Sequence, residues 1–207
     1  MKTTAELSSH DRILRAAKLL FAQNGYENTS TVAIAREAGT SESQLMKHFG
    51  SKQGLLIAIL DRGWNGILER IRATANAANA GDRLMAMLTA ATIEFENDEQ
   101  FKVLAALEAR RVRKDSNEII ISRGYRRFRE VFDRTLLDMR TEGMIRPDLN
   151  LDAVKAAILG FADGLWRDQI IATRSGLSSN YGFEDVRKVL GLLLEFFQEP
   201  AQHAKAS

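Results

Sequence analysis

Apolar residues recur every three or four positions through most of the chain. Between residues 13 and 21 they are Ile13, Ala16, Ala17, Leu20 and Phe21, and this spacing predicts an amphipathic helix. The following Asn-Gly pair, at 24–25, ends that helix. Only EIIIS, at 118–122, is rich in β-branched residues, and it is continuous with a helical pattern. The chain is therefore predicted to be all-α.

Three serines mark the starts of further helices. Ser30 precedes a short helix that Gly39 ends. Ser41 and Gln44 have the spacing of a capping box, in which each side chain bonds the other residue's amide, at the start of a second short helix. Ser51 caps a fourth helix, which the apolar pattern continues to about residue 79.

Longer helices are predicted in the remainder of the chain, near 82–97, 99–113, 115–142, 151–173 and 184–198. A capping box at Asp115 and Glu118 begins the third of these, Gly143 and Pro147 end it, and Asn150 or one of its neighbours caps the next. About nine helices result. We predict two domains, an N-terminal three-helix domain at 1–54 and a C-terminal helical domain at 55–207.

Composition narrows the classes to which the protein can belong. The chain has 207 residues, no cysteine and a formal net charge of +2. Without cysteine there is neither a disulfide nor a thiolate metal site, and a cytoplasmic location is expected. The first residues are polar and then amphipathic, and the apolar runs are too short to span a bilayer, so we expect no membrane association. Because the net charge is near zero, any contact with nucleic acid must come from a local patch of basic residues.

The two short helices joined by GTS, at 39–41, have the sequence form of a helix-turn-helix. The second helix of such a pair enters the DNA major groove, and its N-terminal half faces base edges. Leu45 and Phe49 lie four residues apart and would hold this helix to its core. The side chains left largely outward are Glu42, Ser43, Gln44, Met46, Lys47 and His48.

These outward side chains match the chemistry of base edges and phosphates. Gln44 can pair bidentately with adenine, and Met46 can contact a thymine methyl group. Ser43 can meet a base edge; Glu42 can accept from cytosine or, equally well, favour the positive end of its own helix. Basic side chains suited to phosphates are Lys47, His48 and Lys52, although His48 could be an ordinary surface histidine.

Residues 12–56 contain RILRAAKLLFAQNGYENTS, IAREAG and SESQLMKHFGSKQGLL. The joint spacing of these pieces resembles the DNA-binding domain of the TetR/AcrR family of transcriptional regulators and covers nearly a quarter of the chain. The resemblance implies an N-terminal helix-turn-helix followed by an all-helical domain for ligand binding and dimerisation. It also implies that Thr31 and Val32 meet the DNA backbone, that residues 42–48 form the reading element, and that Lys52 contacts a phosphate.

Two positions depart from the family pattern. Met46 stands where the family usually has a tyrosine whose hydroxyl touches the backbone, and Val32 stands where a polar or basic residue is common. Each departure removes one phosphate contact.

Large apolar residues of the second domain are candidates for an effector pocket, which the resemblance implies. They are Trp64, Met87, Phe95, Phe101, Phe128, Phe132, Met139 and Trp166. Most must also serve as core, because the row from Tyr125 through Phe128 and Phe132 to Met139 has ordinary helical spacing. The effector itself is not identified by the sequence.

The last two helices carry candidates for a dimer interface. One has a ridge of small residues, Ala156, Gly160 and Gly164; the other has an apolar stripe, Val186, Val189, Leu190, Leu193 and Phe197. A row of small residues lets another helix approach closely, and two glycines in a helix lower its propensity. Close packing within one subunit is one explanation. The resemblance favours a two-fold interface built from these two helices of each subunit.

A basic cluster lies between residues 110 and 129. It contains Arg110, Arg111, Arg113, Lys114, Arg123, Arg126, Arg127 and Arg129. A solvated face at a helix junction is the ordinary explanation; attraction of an acidic effector or of DNA beside the operator is the alternative.

Enzyme chemistry is not expected. The three histidines lie near one terminus, on the second short helix and in the tail, and no phosphate loop, metal-binding motif or serine elbow is present. We expect neither a metal nor a cofactor. The predicted function is a ligand-responsive, homodimeric regulator, a repressor in preference to an activator, that binds a double-stranded DNA operator and is released by a small-molecule effector. An architectural DNA-binding protein without an effector is the second alternative.

Overall fold

The described part of the chain is entirely helical outside its connections. The computed structural model describes residues 7–73, 79–108, 121–177 and 181–197. Its α-helices in these ranges are α1 (Ser9–Asn24), α2 (Thr31–Glu37), α3 (Glu42–Phe49), α4 (Lys52–Ala73), α5 (Ala80–Asn97), α6 (Glu99–Ala105), α7 (Arg123–Thr141), α8 (Leu151–Ser175) and α9 (Phe183–Glu195). No strand occurs in the ranges described, and none of these helices is long and apolar enough to cross a bilayer. The all-α prediction is confirmed.

The serines predicted to cap the second, third and fourth helices do so. Ser30, Ser41 and Ser51 each accept a hydrogen bond from the amide three residues ahead, at 3.1, 3.2 and 2.9 Å. The other half of the predicted capping box is wrong, because the Gln44 side chain forms no hydrogen bond with the Ser41 amide. The Gln44 side chain is exposed instead.

Two longer helices differ from the prediction. α6 ends at Ala105 rather than near residue 113, and α7 begins at Arg123 rather than at 115. The hydroxyl of Ser122 accepts from the amide three residues ahead at 3.2 Å and so caps α7. Residues 109–120, which include the capping box predicted at 115–118 and the first half of the basic cluster, lie outside the described residues.

The other long helices follow the predicted signals. Asn150 caps α8 by accepting from two amides of its first turn, at 2.9 and 3.1 Å. Gly143 and Gly176 follow α7 and α8 with φ of +75° and +72°, a region that glycine adopts readily. α4 is described as far as Ala73, and its predicted continuation falls on residues 74–78, outside the described part.

Two compact units divide the described residues. One comprises residues 7–68 together with the described residues from Glu94 to Arg127; the other comprises those from Glu69 to Ile93 and from Phe128 onward. α4, α5 and α7 contribute residues to both units. The division into domains at 1–54 and 55–207 was drawn from the extent of the helix-turn-helix, and it stays a prediction.

The core of the first unit includes apolar residues of α1, α2 and α3. Ile13, Ala17, Phe21, Ile34, Ala35 and Leu45 are buried. Leu20 and Phe49 are only half-buried. Within the same unit α6 packs against α1.

The second unit is organised around the apolar face of α7. Phe128, Phe132, Leu136 and Met139 are buried along it, as the helical spacing predicts. Polar contacts join α5 to α7: Arg83 pairs with Asp138 at 2.8 Å, and the Ala80 amide donates to the Glu142 carboxylate at 2.8 Å. The Tyr181 hydroxyl lies 3.0 Å from the Leu165 carbonyl oxygen and so ties the segment before α9 to α8.

Candidate nucleic-acid interface

α2 and α3 are held in a helix-turn-helix by contacts with α1. Gly39, in the turn between them, has a φ of +61°, a region that residues with a side chain rarely adopt. The Arg12 guanidinium donates to the Ala38 carbonyl oxygen at 3.1 Å and fixes the end of α2. Leu45 has no exposed surface, so it anchors α3 to the core. Leu45 and the tight turn at Gly39 therefore help to set the orientation of α3.

The opposite face of α3 is free of the core. Every side chain predicted to face outward is exposed: Glu42, Ser43, Gln44, Met46, Lys47 and His48. The Gln44 side chain makes no hydrogen bond within the described residues, so both its carbonyl and its amide group are available to a base edge. Contact of these side chains with DNA stays a prediction.

Glu42 has a partner within the protein. The Thr31 hydroxyl donates to its carboxylate at 2.5 Å and joins the first turn of α2 to the first turn of α3. Two residues predicted as separate DNA contacts are thus bonded to each other. This contact gives Glu42 a positioning role between the helices. The two roles predicted from the sequence, pairing with cytosine and favouring the positive end of α3, both stay predictions.

Two apolar side chains lie among these polar groups. Val32 is 60% exposed in the first turn of α2, and Met46 is 42% exposed on α3. Neither can donate a hydrogen bond to a phosphate, and each can make an apolar contact with a thymine methyl group. Their exposure makes them unusual, since large apolar side chains are exposed at few positions of the described chain.

The ammonium group of Lys52, which was predicted to contact a phosphate, already has two partners within the protein. Its ammonium group donates to the Glu27 carbonyl oxygen at 3.2 Å and lies 4.4 Å from the centroid of the Tyr26 ring. Burial lowers the pKa of Lys52, and the neighbouring Glu27 carboxylate opposes that change. An ammonium group has three donors, so this arrangement leaves donors for a phosphate.

Replacing Lys52 with alanine is expected to weaken binding to any DNA and to reduce the salt dependence. Loss of one phosphate contact should flatten the slope of log K against log salt by about one unit. Fluorescence anisotropy over a range of salt concentrations measures this slope. Lys188→Ala, an exposed lysine on α9, is the control; a Lys52→Ala slope equal to the control's would place Lys52 away from the DNA.

A ring cluster adds a residue that the sequence did not suggest. The His10 ring stacks on Phe49 with centroids 4.8 Å apart and meets His48 edge-on at 5.7 Å. The first turn of α1 therefore lies beside the last turn of α3, and both histidines are exposed. Sequence spacing carries no signal for this contact, because it depends on how α1 and α3 pack.

Residues predicted for the effector pocket fall into both units. Trp64, Phe95 and Phe101 form an aromatic cluster in the first unit, with ring centroids 5.3–6.1 Å apart. Met87, Phe128 and Phe132 are buried in the second unit, and Trp166 is half-buried. Met139 is buried as well. Seven of the eight candidates are therefore core residues of the protomer, and a pocket role for any of them stays a prediction.

The small-residue ridge on α8 faces away from the protomer. Ala156, Gly160 and Gly164 are exposed, and a Cβ added at either glycine would meet nothing within 4 Å. Close packing within one subunit therefore does not explain these glycines in the part of the chain described.

The apolar stripe predicted on α9 for the dimer interface does not form one exposed surface. Leu190 is 4% exposed and belongs to the interior of its own protomer, because its turn of α9 points it inward. Val189 is 49% exposed, whereas Val186, Leu193 and Phe197 are half-buried. The most exposed apolar side chains of this helix and its end were missed: Leu192 at 57% and Phe196 at 79%.

Comparison with known proteins agrees with the geometry of the first unit. The family model described as "Bacterial regulatory proteins, tetR family" matches residues 13–59, which span the helix-turn-helix. The HTH-type transcriptional regulator UidR of Escherichia coli (strain K12) is 25% identical over 168 residues, which cover 81% of this chain and 84% of UidR. Residues 13–59 therefore carry the DNA-binding domain of the TetR family of transcriptional regulators.

Two further similarities extend beyond the DNA-binding domain of this chain. The HTH-type transcriptional repressor KstR2 of Mycobacterium tuberculosis is 27% identical over 148 residues, 71% of this chain and 74% of KstR2. The crystal structure of the regulator FadR from Bacillus subtilis, in complex with stearoyl-CoA, has a TM-score of 0.71 at 18% identity and covers 91% of this chain and 97% of FadR. At that identity the structural similarity shows a shared fold.

Proposed function

We propose that this TetR-family regulator is a repressor that binds a pseudo-palindromic operator as a homodimer and is released by a small-molecule effector. The observation that carries the proposal is the division of α3 into two faces, one anchored by the fully buried Leu45 and the other exposing polar and basic side chains. Such a helix can enter the major groove without loss of its own core contacts.

Contacts with the operator divide into two kinds. Gln44, Ser43 and Met46 on α3 read base edges, whereas Lys47, His48 and Lys52 contact phosphates. Thr31 and Val32 lie at the DNA backbone, and Glu42 holds α2 and α3 together through Thr31. Repression is favoured over activation because occupying a promoter needs no further contact; one relative, KstR2, is a repressor.

The dimer supplies the symmetry that the operator requires. Two reading helices about 34 Å apart match half-sites one helical turn apart. The exposed ridge of Ala156, Gly160 and Gly164, with Val189 on α9, forms the two-fold interface. Leu192 and Phe196 extend the apolar surface of that interface.

Release follows from a shift between conformations. The dimer samples one spacing of its reading helices that fits the operator and others that do not. An effector with higher affinity for the other spacings lowers operator affinity by that difference. α4 begins directly after the helix-turn-helix and continues to Ala73 as one helix, so it is the element that carries the change. FadR binds stearoyl-CoA in its crystal structure, and acyl-CoA thioesters are therefore the first compounds to test.

Replacing Gln44 with alanine should cost about 1–3 kcal/mol of binding free energy on the cognate operator and relax base choice at one position. The physical reason is loss of a bidentate contact with one base, which leaves the phosphate contacts unchanged. Binding is measured on the operator and on each single-base variant. Gln23→Ala, an exposed glutamine on α1, should leave both unchanged; equal weakening on all sequences would remove Gln44 from base recognition.

Selection of bound sequences from random duplexes, with the eluted complex sized, tests the whole proposal. Enrichment of a pseudo-palindrome by a dimer is expected, and stearoyl-CoA or another effector should then reduce its affinity. A folded protein that enriches no sequence, with or without acyl-CoA, would contradict operator binding. An operator whose affinity no compound alters would favour an architectural DNA-binding protein.

A further inference from the structure

We infer that a cleft in the first unit, between α1, α4 and the start of α6, binds a small molecule with an apolar body and one carboxylate. The cleft has a volume of about 470 Å³, within the range of about 300–1,000 Å³ that is usual for ligand pockets. Of the residues predicted for the effector pocket, Phe101 alone appears in its lining. The lining of this cleft is therefore largely different from the set of residues predicted for the effector pocket.

The floor of the cleft is apolar and closely packed. Leu14, Ile59 and Phe101 line it and are 6%, 3% and 1% exposed. At Gly63, which also lines the cleft, an added Cβ would lie 2.3 Å from the Phe101 ring, so α4 and α6 are in close contact there. A floor of this kind accepts the apolar body of a ligand and excludes water from it.

The carboxylates that line the cleft already interact with other groups of the protein. Asp11 accepts from the Ser8 hydroxyl at 2.8 Å and from Arg62 at 3.0 Å, and these bonds lower the pKa of Asp11. Asp98 accepts from the Phe101 amide at 2.9 Å and from the Lys18 ammonium group. The third lining carboxylate, Glu94, is also engaged.

The cations of the lining retain unused donors. Arg15 forms no hydrogen bond or ion pair within the described residues, and its guanidinium group has five N–H donors. Lys18 and Arg62 each have one carboxylate partner and further donors to spare. Because the unused capacity is on the donor side, an acceptor fits this site, and a carboxylate can bond Arg15 through both oxygens.

A ligand in the cleft would act on the contacts of α1. Lys18 joins α1 to Asp98, the cap of α6, and Asp11 joins α1 to Arg62 on α4. A bound carboxylate competes with both aspartates for these cations, so binding changes how α1 is held against α4 and α6. An effect on operator affinity would follow if the proposed function holds; binding itself does not depend on that function.

Isothermal titration calorimetry of the full chain with cyclohexylacetate tests the site. The neutral probe cyclohexylethanol has the same skeleton without the charge. We expect the acid to bind and Arg15→Met to weaken that binding about tenfold or more, as loss of a charge-assisted hydrogen bond predicts. Arg126→Met, an exposed arginine on α7 outside the lining, is the matched control.

A second variant tests the location independently. Leu7 lines the cleft and is half-buried, so Leu7→Trp should fill the space, abolish binding of the acid and retain the helical circular dichroism signal. Equal affinity for the acid and the alcohol, no binding of either at millimolar concentration, or binding of the acid that neither variant changes would each overturn the inference. Failure of operator selection while the acid still binds would contradict the proposed function alone.

Discussion

The Gly160→Glu variant should fold like the wild type, dissociate to monomers and lose operator binding. A side chain at Gly160 meets nothing within the protomer, so the folded monomer accommodates it. In a two-fold interface each substitution enters twice, and the two carboxylates are removed from water without a partner. A penalty of about 3 kcal/mol would raise the dimer dissociation constant more than a hundredfold.

Analytical ultracentrifugation over a range of protein concentrations measures this dissociation. Ala106→Glu adds the same charge at an exposed position after α6 and should leave the dimer intact. Gly160→Ala provides a second control, since it adds a methyl group without charge and raises helix propensity. If Gly160→Glu sediments as a dimer at every concentration that keeps the wild type dimeric, the interface lies on another surface.

Replacing Glu108 with alanine should destabilise the first unit by about 3 kcal/mol, because it removes the acceptor of three donors. The Trp64 indole donates to the Glu108 carboxylate at 3.1 Å, the Ser122 amide donates to it at 3.1 Å, and the Ser122 hydroxyl donates to it as well. Trp64 is 4% exposed and Ser122 is fully buried, so their donors would be left unsatisfied. Since Ser122 caps α7, the start of that helix is loosened too.

Urea denaturation followed by circular dichroism measures the free energy of unfolding of this variant. Glu96→Ala removes an exposed carboxylate on α5 and should change the free energy by less than about 0.5 kcal/mol. A Glu108→Ala variant as stable as this control would mean that water replaces the carboxylate at no cost.

Because the pKa of Glu108 is raised in the folded protein, the free energy of unfolding is expected to depend on pH. Burial raises the pKa of Glu108, hydrogen bonds from Ser122 and Trp64 oppose the change, and the nearby Asp61 carboxylate adds to it. A carboxyl whose pKa is raised on folding contributes stability that is present below its unfolded pKa and is lost as the pH rises through its folded pKa. Lowering the pH from about 7 toward the ordinary glutamate range should therefore stabilise the wild type relative to Glu108→Gln. A difference between the two that does not vary with pH would contradict this.

Structural features that depend on residues close together in the sequence, such as helix caps, were predicted correctly. The serine caps at Ser30, Ser41 and Ser51, the stop at Gly39 and the anchor at Leu45 all depend on residues within one helical turn. The outward face of α3 follows from the same periodicity, once Leu45 is assigned to the core. For this reason the helix-turn-helix was accessible from the sequence.

The predictions failed where the packing between helices, and not the local spacing of apolar residues, decides which side chains are buried. The apolar stripe of α9 was read as one surface, yet it divides into Leu190, which faces the protomer, and Leu192 and Phe196, which face away. An amphipathic helix shows which residues are apolar, but the neighbouring helices decide which part of its apolar face they cover.

The sequence by itself determined that this chain is helical, that it begins with a helix-turn-helix, and that Gln44 and its neighbours on α3 lie outside the core. Only the tertiary structure decided that Thr31 bonds Glu42, that His10 stacks on Phe49, and that a cleft lined by Arg15 lies beside α1. These contacts join helices that are separated along the chain. The spacing of residues along one helix does not relate the two partners of such a contact. Their relative positions depend on how whole helices pack against one another.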